Sequence, residues 1–95
     1  MSKPVSLTGI KPTGIPHIGN YLGAIKPALH YTQSHEAVYF IADYHALTSV
    51  WNGDDMRNQI YSVAATWLAL GLDPETCHFY KQSDIPEIFE LNWIL

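Results

Sequence analysis

The 95-residue sequence predicts an α/β fold in which three parallel strands alternate with helices in the order β-α-β-α-β-α. Two observations carry this. Residues 37 to 42, "AVYFIA", form an unbroken apolar run of the kind found in strands covered on both faces. On either side of that run, apolar residues recur at helical spacing: Ile18, Leu22, Ile25 and Leu29 before it, then Met56, Ile60, Val63, Ala64, Trp67 and Leu68 after it. Strands separated by helices imply a parallel sheet with crossover connections.

The elements follow in order. "PVSLTG", residues 4 to 9, is short and partly apolar and closes on Gly9, which suits a first strand running into a turn. The first helix is expected to begin near His17 or Ile18 and to kink at Pro27, which removes a backbone donor and crowds the preceding turn. The second strand is expected to end near Asp43. "WNGDDMRNQ" supplies a turn and acidic residues for the next helix N-terminus, and Gly71 stops that helix. A third strand is expected around residues 77 to 81. The helix after it would start within "SDIPEIFELNWIL", with Asp84 and Glu87 at capping-box spacing and Pro86 in the first turn. "ELNWIL" ends on apolar residues inside this helix, so the chain is expected to be cut within a longer protein.

Composition narrows the function. One domain at most fits 95 residues, and 47% hydrophobic residues with no low-complexity tract indicate a packed core. Five Lys and Arg against a net charge of −4 leave no basic stripe to neutralise several phosphates of a nucleic acid. The single cysteine, Cys77, cannot form an internal disulfide and reads as an inert residue of a buried strand, which fits a reducing compartment. No apolar run approaches the roughly 18 residues of a membrane span, and the N-terminus lacks an apolar leader, so a cytoplasmic location is expected.

The densest chemistry lies in "GIKPTGIPHIGNYLG", residues 9 to 23. Gly9, Pro12, Thr13, Gly14 and Pro16 make a turn whose backbone can approach a ligand closely. The unsatisfied N–H groups of the helix that follows would attract an anion, with Lys11 and His17 adding donors at the same place. A capping loop with a surface histidine accounts for the same residues on composition alone. Asp43 and His45 form D-x-H, two metal-ligand types without a third, so no bound metal is expected. His30 and His35 read as solvated residues at the end of the first helix, and His78 as the edge of the core. Trp51, Trp67 and Trp93 read as packing residues, and Tyr44, the middle residue of D-x-H, reads either as packing or as a neighbour of a binding pocket.

The extended string "GIKPTGIPHIGNYLGA" resembles the first signature, the HIGH motif, of class I aminoacyl-tRNA synthetases, here His17-Ile18-Gly19-Asn20. Pro-Thr-Gly before it and Asn-Tyr-Leu-Gly-Ala through it narrow the resemblance to the tryptophanyl-tRNA synthetases. "YFIADYHALT", residues 39 to 48, and "YKQSDIPEIFELNWIL", residues 80 to 95, resemble further segments of that family, so the likeness covers nearly the whole chain. It implies that residues 1–95 are the N-terminal half of a Rossmann-like (HUP-type) catalytic domain, with strand order 3-2-1 and the first strand at an edge.

By position, the resemblance implies an ATP site lined by Lys11, Pro12, Thr13, His17, Gly19 and Asn20, of which Lys11, His17 and Asn20 stand nearest the chemistry. Asn20 takes the place of the motif's second histidine. Leu7, Gly9 and His45 would border tryptophan, with Leu7 where many relatives carry an aromatic residue. The implied substrates are ATP with Mg²⁺, L-tryptophan and tRNA(Trp), and the implied full-length enzyme is a homodimer. A KMSKS loop, an acidic residue reading the indole N–H and a tRNA-binding domain do not occur in these residues, which are therefore expected to be inactive alone. The competing readings are a tyrosine-type synthetase, opposed by Asn20-Tyr21; a nucleotidylyltransferase, opposed by Pro-Thr-Gly and "ADYHALT"; and an inactive folding unit.

Overall fold

In the computed structural model, which describes residues 3–12 and 21–95, three strands form one parallel sheet in the order β1-β2-β3. β1 (Val5–Ile10) pairs with β2 (Glu36–Ile41) in the register Val5 to Glu36 through Ile10 to Ile41. β2 pairs with β3 (His78–Lys81), Val38 opposite His78. β2 is therefore central, and β1 is an edge, as the order 3-2-1 requires. The ladder runs on at both ends of the first pair: the Glu36 N–H donates to the Pro4 carbonyl and the Ala42 N–H to the Ile10 carbonyl, each at 2.7 Å.

The crossover from β1 to β2 contains a π-helical turn, Tyr21–Ile25, running into α1 (Lys26–Tyr31). Pro27 lies at the start of α1, directly after the π-helical turn, so the helical hydrogen-bond pattern changes from π to α just ahead of the proline. The expected start of this helix at His17 or Ile18 lies outside the described residues. After β2 the chain enters a four-residue helix, α2 (Asp43–Ala46), which the apolar pattern does not announce.

α3 (Gly53–Ala69) starts where "WNGDD" predicts. The Asn52 side chain is its cap, accepting from the Asp54 N–H at 2.9 Å and the Asp55 N–H at 3.2 Å, with two acidic residues in the first turn. Gly71, at φ +114°, ends it in a conformation that side-chain-bearing residues rarely adopt. A 3₁₀ turn, Gln82–Asp84, and α4 (Glu87–Ile94) follow β3. The expected Asp84–Glu87 capping box does not form. α4 is preceded by Pro86 without a side-chain cap, and Asp84 turns back to accept from the Lys81 N–H at 3.3 Å and to pair with Lys81 Nζ at 3.7 Å.

The core lies on one face of the sheet. Ala37, Tyr39 and Ile41 of β2 pack against Ile25 and Ala28 of the first crossover and against Val63, Trp67 and Leu72. The Tyr39 ring meets Trp67 edge-on at 5.9 Å, and Trp67 stacks on Phe79 at 6.4 Å. The Tyr39 hydroxyl satisfies itself on the Ala28 carbonyl at 2.5 Å. Trp67 thus packs as expected. Trp51 and Trp93 do not: they are 87% and 90% exposed, because they lie in a loop and in an α4 that has no buried residue.

His78 is also exposed and faces Glu36 across the sheet at 3.7 Å, because β3 is an edge strand only four residues long. His30 and His35 are surface residues or nearly so. Cys77 precedes β3 and is half-buried, its thiol donating to the Asp73 carbonyl at 3.1 Å. Burial, and then the Asp73 carboxylate, push that thiol above its ordinary pKa. No helix among the described residues is long and apolar enough to cross a membrane.

Candidate functional site

Of the candidate residues among those described, Lys11, Pro12 and His45 follow the C-terminal ends of parallel strands, where open α/β sheets present their loops to ligands, while Leu7 and Gly9 lie within β1. Alternate residues of a strand point to opposite faces, so Leu7 and Gly9 share the face opposite the helix-packed core, beside Val38 and Phe40 of β2. Leu7 is 66% exposed on it. Gly9 lies opposite Phe40, and a methyl group added at Gly9 would stand 2.5 Å from the tip of the Phe40 ring. The absence of a side chain here lets the ring lie over β1. Phe40 in turn stacks on Tyr80 at 5.8 Å, so an aromatic floor crosses from β1 to β3.

Lys11 and Pro12 follow β1 directly. Pro12 is fully buried, and Lys11 Nζ donates to Thr48 Oγ1 at 3.3 Å. Thr48 Oγ1 donates onward to the His45 carbonyl at 3.0 Å. The structure therefore joins the end of β1 to the turn that carries His45, 37 residues further along the chain from Lys11 to Thr48. His45 itself lies on α2 with an exposed side chain. Thr13, His17, Gly19 and Asn20 lie outside the described residues.

α2 begins with Asp43, which is 9% exposed and the one buried charged residue among those described. Its Oδ1 accepts from the Tyr44 N–H at 3.1 Å and the Ser83 N–H at 3.0 Å, and its Oδ2 from the Ser83 hydroxyl at 2.5 Å. These donors occupy the carboxylate, and among the described residues no group of three or more His, Cys, Asp or Glu is arranged to hold a metal ion. Tyr44 turns outward and meets Phe89 of α4 edge-on at 4.3 Å.

Sequence reasoning missed Phe40, Thr48 and Ser83. Phe40 and Thr48 lie within "YFIADYHALT", but nothing in the spacing distinguishes their roles, and the Asp43–Ser83 contact joins residues 40 apart. A cleft of about 430 Å³ opens elsewhere, between α3 and the ends of β2 and β3, lined by Ile41, Met56, Ile60, Tyr80 and Lys81 among others. None of the described candidate residues lines it, and its walls among the described residues are mainly the apolar flank of α3.

A three-stranded parallel half-sheet with a glycine- and proline-rich segment after its first strand is a framework on which many α/β proteins bind nucleotides. Residues 2–95 match the family of class I tRNA synthetases for tryptophan and tyrosine, and the chain belongs to it. Several relatives that share about half of its residues are named tryptophan–tRNA ligases. A tryptophan–tRNA ligase of Neisseria meningitidis serogroup A is 54% identical over 97 residues, covering 100% of this chain and 29% of the relative. One from Pseudomonas aeruginosa is 53% identical over 91 residues, covering 94% and 20%. Among solved structures, tryptophanyl-tRNA synthetase from Campylobacter jejuni complexed with ADP and tryptophan superposes with a TM-score of 0.89 at 44% identity, covering 96% of this chain and 28% of that one. The chain thus spans under a third of the length of each.

Proposed function

We propose that residues 1–95 are the first half of the catalytic domain of a tryptophan–tRNA ligase, which activates L-tryptophan with ATP and passes it to tRNA(Trp). The observation that carries this reading is the 54% identity, along the entire chain, to a ligase of that specificity. The solved relative that holds both ADP and tryptophan supports ATP and tryptophan as the small substrates.

In the reaction, the tryptophan carboxylate oxygen attacks the α-phosphorus of ATP, the bond to the β-phosphate oxygen breaks, and pyrophosphate leaves. Such a step needs alignment of the two substrates and stabilisation of charge on the phosphates. Mg²⁺ entering with ATP would neutralise part of that charge. Lys11, Pro12 and Thr13 are assigned to the ATP side, with Gly19 and Asn20 receiving the nucleotide and His17 beside the phosphates. Leu7, Gly9 and His45 are assigned to tryptophan. The exposed face bearing Leu7 and Gly9, with its Phe40–Tyr80 floor, supports a flat apolar ligand there. The Lys11–Thr48–His45 linkage supports neighbouring ATP and tryptophan sites.

The low count of basic residues supports tRNA binding by other parts of the enzyme. We assign those parts, the loop that closes on ATP and a homodimer contact to the remainder of a longer, cytoplasmic protein, and residues 1–95 alone are expected to lack activity. The test is aminoacylation by the full-length enzyme: radiolabelled tryptophan should become acid-precipitable on a tRNA(Trp) transcript in the presence of ATP. Purified, folded enzyme that leaves the transcript uncharged would overturn the assignment.

A further inference from the structure

α2 is too short to be stable as a helix by itself, since four residues barely exceed a helical nucleus, and Ala42 ahead of it provides no side-chain cap. His45 projects from this single turn. Among the described residues, Ala46 is buried beneath the turn, and side-chain contacts hold the turn from three directions: Asp43 to Ser83, Tyr44 to Phe89, and, just beyond α2, Thr48 to Lys11. The last is exposed and the second is a ring contact with a half-exposed tyrosine. Only the first takes a charged group out of water, and a buried carboxylate is tolerated when donors surround it.

Ser83 offers the Asp43 carboxylate both its backbone N–H and its hydroxyl, one to each oxygen, a two-point grip that fixes rotation as well as distance. Asp43 is the first residue of α2 and Ser83 the middle residue of the 3₁₀ turn leaving β3, so the grip ties the exit of the central strand to the exit of its neighbour. On the functional reading above, on which this inference rests, we infer that Asp43 and Ser83 form a positioning clamp that sets the His45 side chain against tryptophan. Neither residue touches the reacting atoms. The clamp acts through the orientation of α2, so its loss weakens tryptophan saturation and leaves the ATP side intact.

ATP–pyrophosphate exchange by the full-length enzyme separates these effects, with Ser83→Ala, Ser83→Thr, Asp43→Asn and the Asp43→Asn/Ser83→Ala pair compared with the parent. Ser83→Ala keeps the backbone N–H and deletes only the hydroxyl; it should raise KM for tryptophan about fivefold or more while kcat and KM for ATP stay within about twofold. Ser83→Thr, which restores a hydroxyl, should return KM to the parent value. The double variant should be no worse than Asp43→Asn alone, because both substitutions break one linkage.

An unchanged KM in folded Ser83→Ala overturns the clamp, as does a parallel change in kcat and both KM values. So does a double variant whose defect is the product of the two single ones. If Asp43→Asn fails to fold, the Ser83→Ala and Ser83→Thr pair decides the matter. A parent enzyme that shows no tryptophan-dependent exchange overturns the functional reading itself, whereas an active parent with an indifferent Ser83→Ala overturns the clamp alone.

Discussion

Gly9→Ala puts a methyl carbon where the Phe40 ring already lies. The new Cβ would stand 2.5 Å from Cζ, 2.7 Å from Cε2 and 3.2 Å from Cε1 of that ring. Carbon atoms in contact prefer about 3.5–4.0 Å, so the ring must retreat by roughly 1 Å. It is stacked on Tyr80 at 5.8 Å and 28°, which opposes the retreat. The conflict is steric only: Gly71 is the described glycine with positive φ, and Gly9 belongs to a regular strand. Overpacking of this kind costs about 1–3 kcal/mol. Spent against the fold, that lowers the urea midpoint; spent against tryptophan, it weakens binding by about 5- to 150-fold. Urea denaturation and fluorescence titration of the full-length enzyme with tryptophan read the two together. Phe40→Ala in the same chain should relieve the conflict, so that the double variant is less impaired than the sum of the single ones. Gly9→Ala with parental stability and parental tryptophan affinity would mean that the Phe40 ring does not fill the space over Gly9.

Other expectations follow from the same arrangement. On the proposed assignment of His17 to the phosphates, His17→Ala in the full-length enzyme should slow tryptophan-dependent pyrophosphate exchange through kcat more than it weakens tryptophan binding; equal rates would remove His17 from the mechanism. His45→Ala should do the reverse, raising KM for tryptophan with a smaller effect on ATP, and a shift confined to ATP saturation would overturn the pocket assignment. Trp67→Ala should cost about 3–5 kcal/mol in urea unfolding, because the indole is 1% exposed and wedged between Tyr39 and Phe79; a loss under about 1 kcal/mol would contradict its place in the core.

The order of strands and long helices is legible from the sequence because each has a strong physical signature. "AVYFIA" is a short apolar run that does form the central strand, although helices pack only its Ala37, Tyr39 and Ile41 face among the described residues, and Asn52 and Gly71 bracket a clear helical period. What escapes is short or non-local. α2 completes barely one turn, less than any periodicity can register, and its hold on Ser83 joins segments 40 residues apart. The capping-box spacing at Asp84 and Glu87 failed because Lys81 competes for the same carboxylate. Trp51 and Trp93 look like core residues by type alone, but packing is a property of the face on which a residue lands. For the site, Leu7 and Gly9 fall within β1, Lys11 and Pro12 directly after it, and His45 on the turn after β2, while their roles rest on the resemblance. The assignments of Thr13, His17, Gly19 and Asn20 rest on the motif, because they lie outside the described residues.

The family to which the chain belongs includes enzymes for tryptophan and for tyrosine, and the most direct test of the account is the choice between them. ATP–pyrophosphate exchange by the full-length enzyme should be measured with each amino acid as the sole substrate. The account predicts exchange with tryptophan and a kcat/KM for tyrosine lower by about 10²-fold or more, a loss of roughly 3 kcal/mol of transition-state binding. Equal or faster exchange with tyrosine would contradict it.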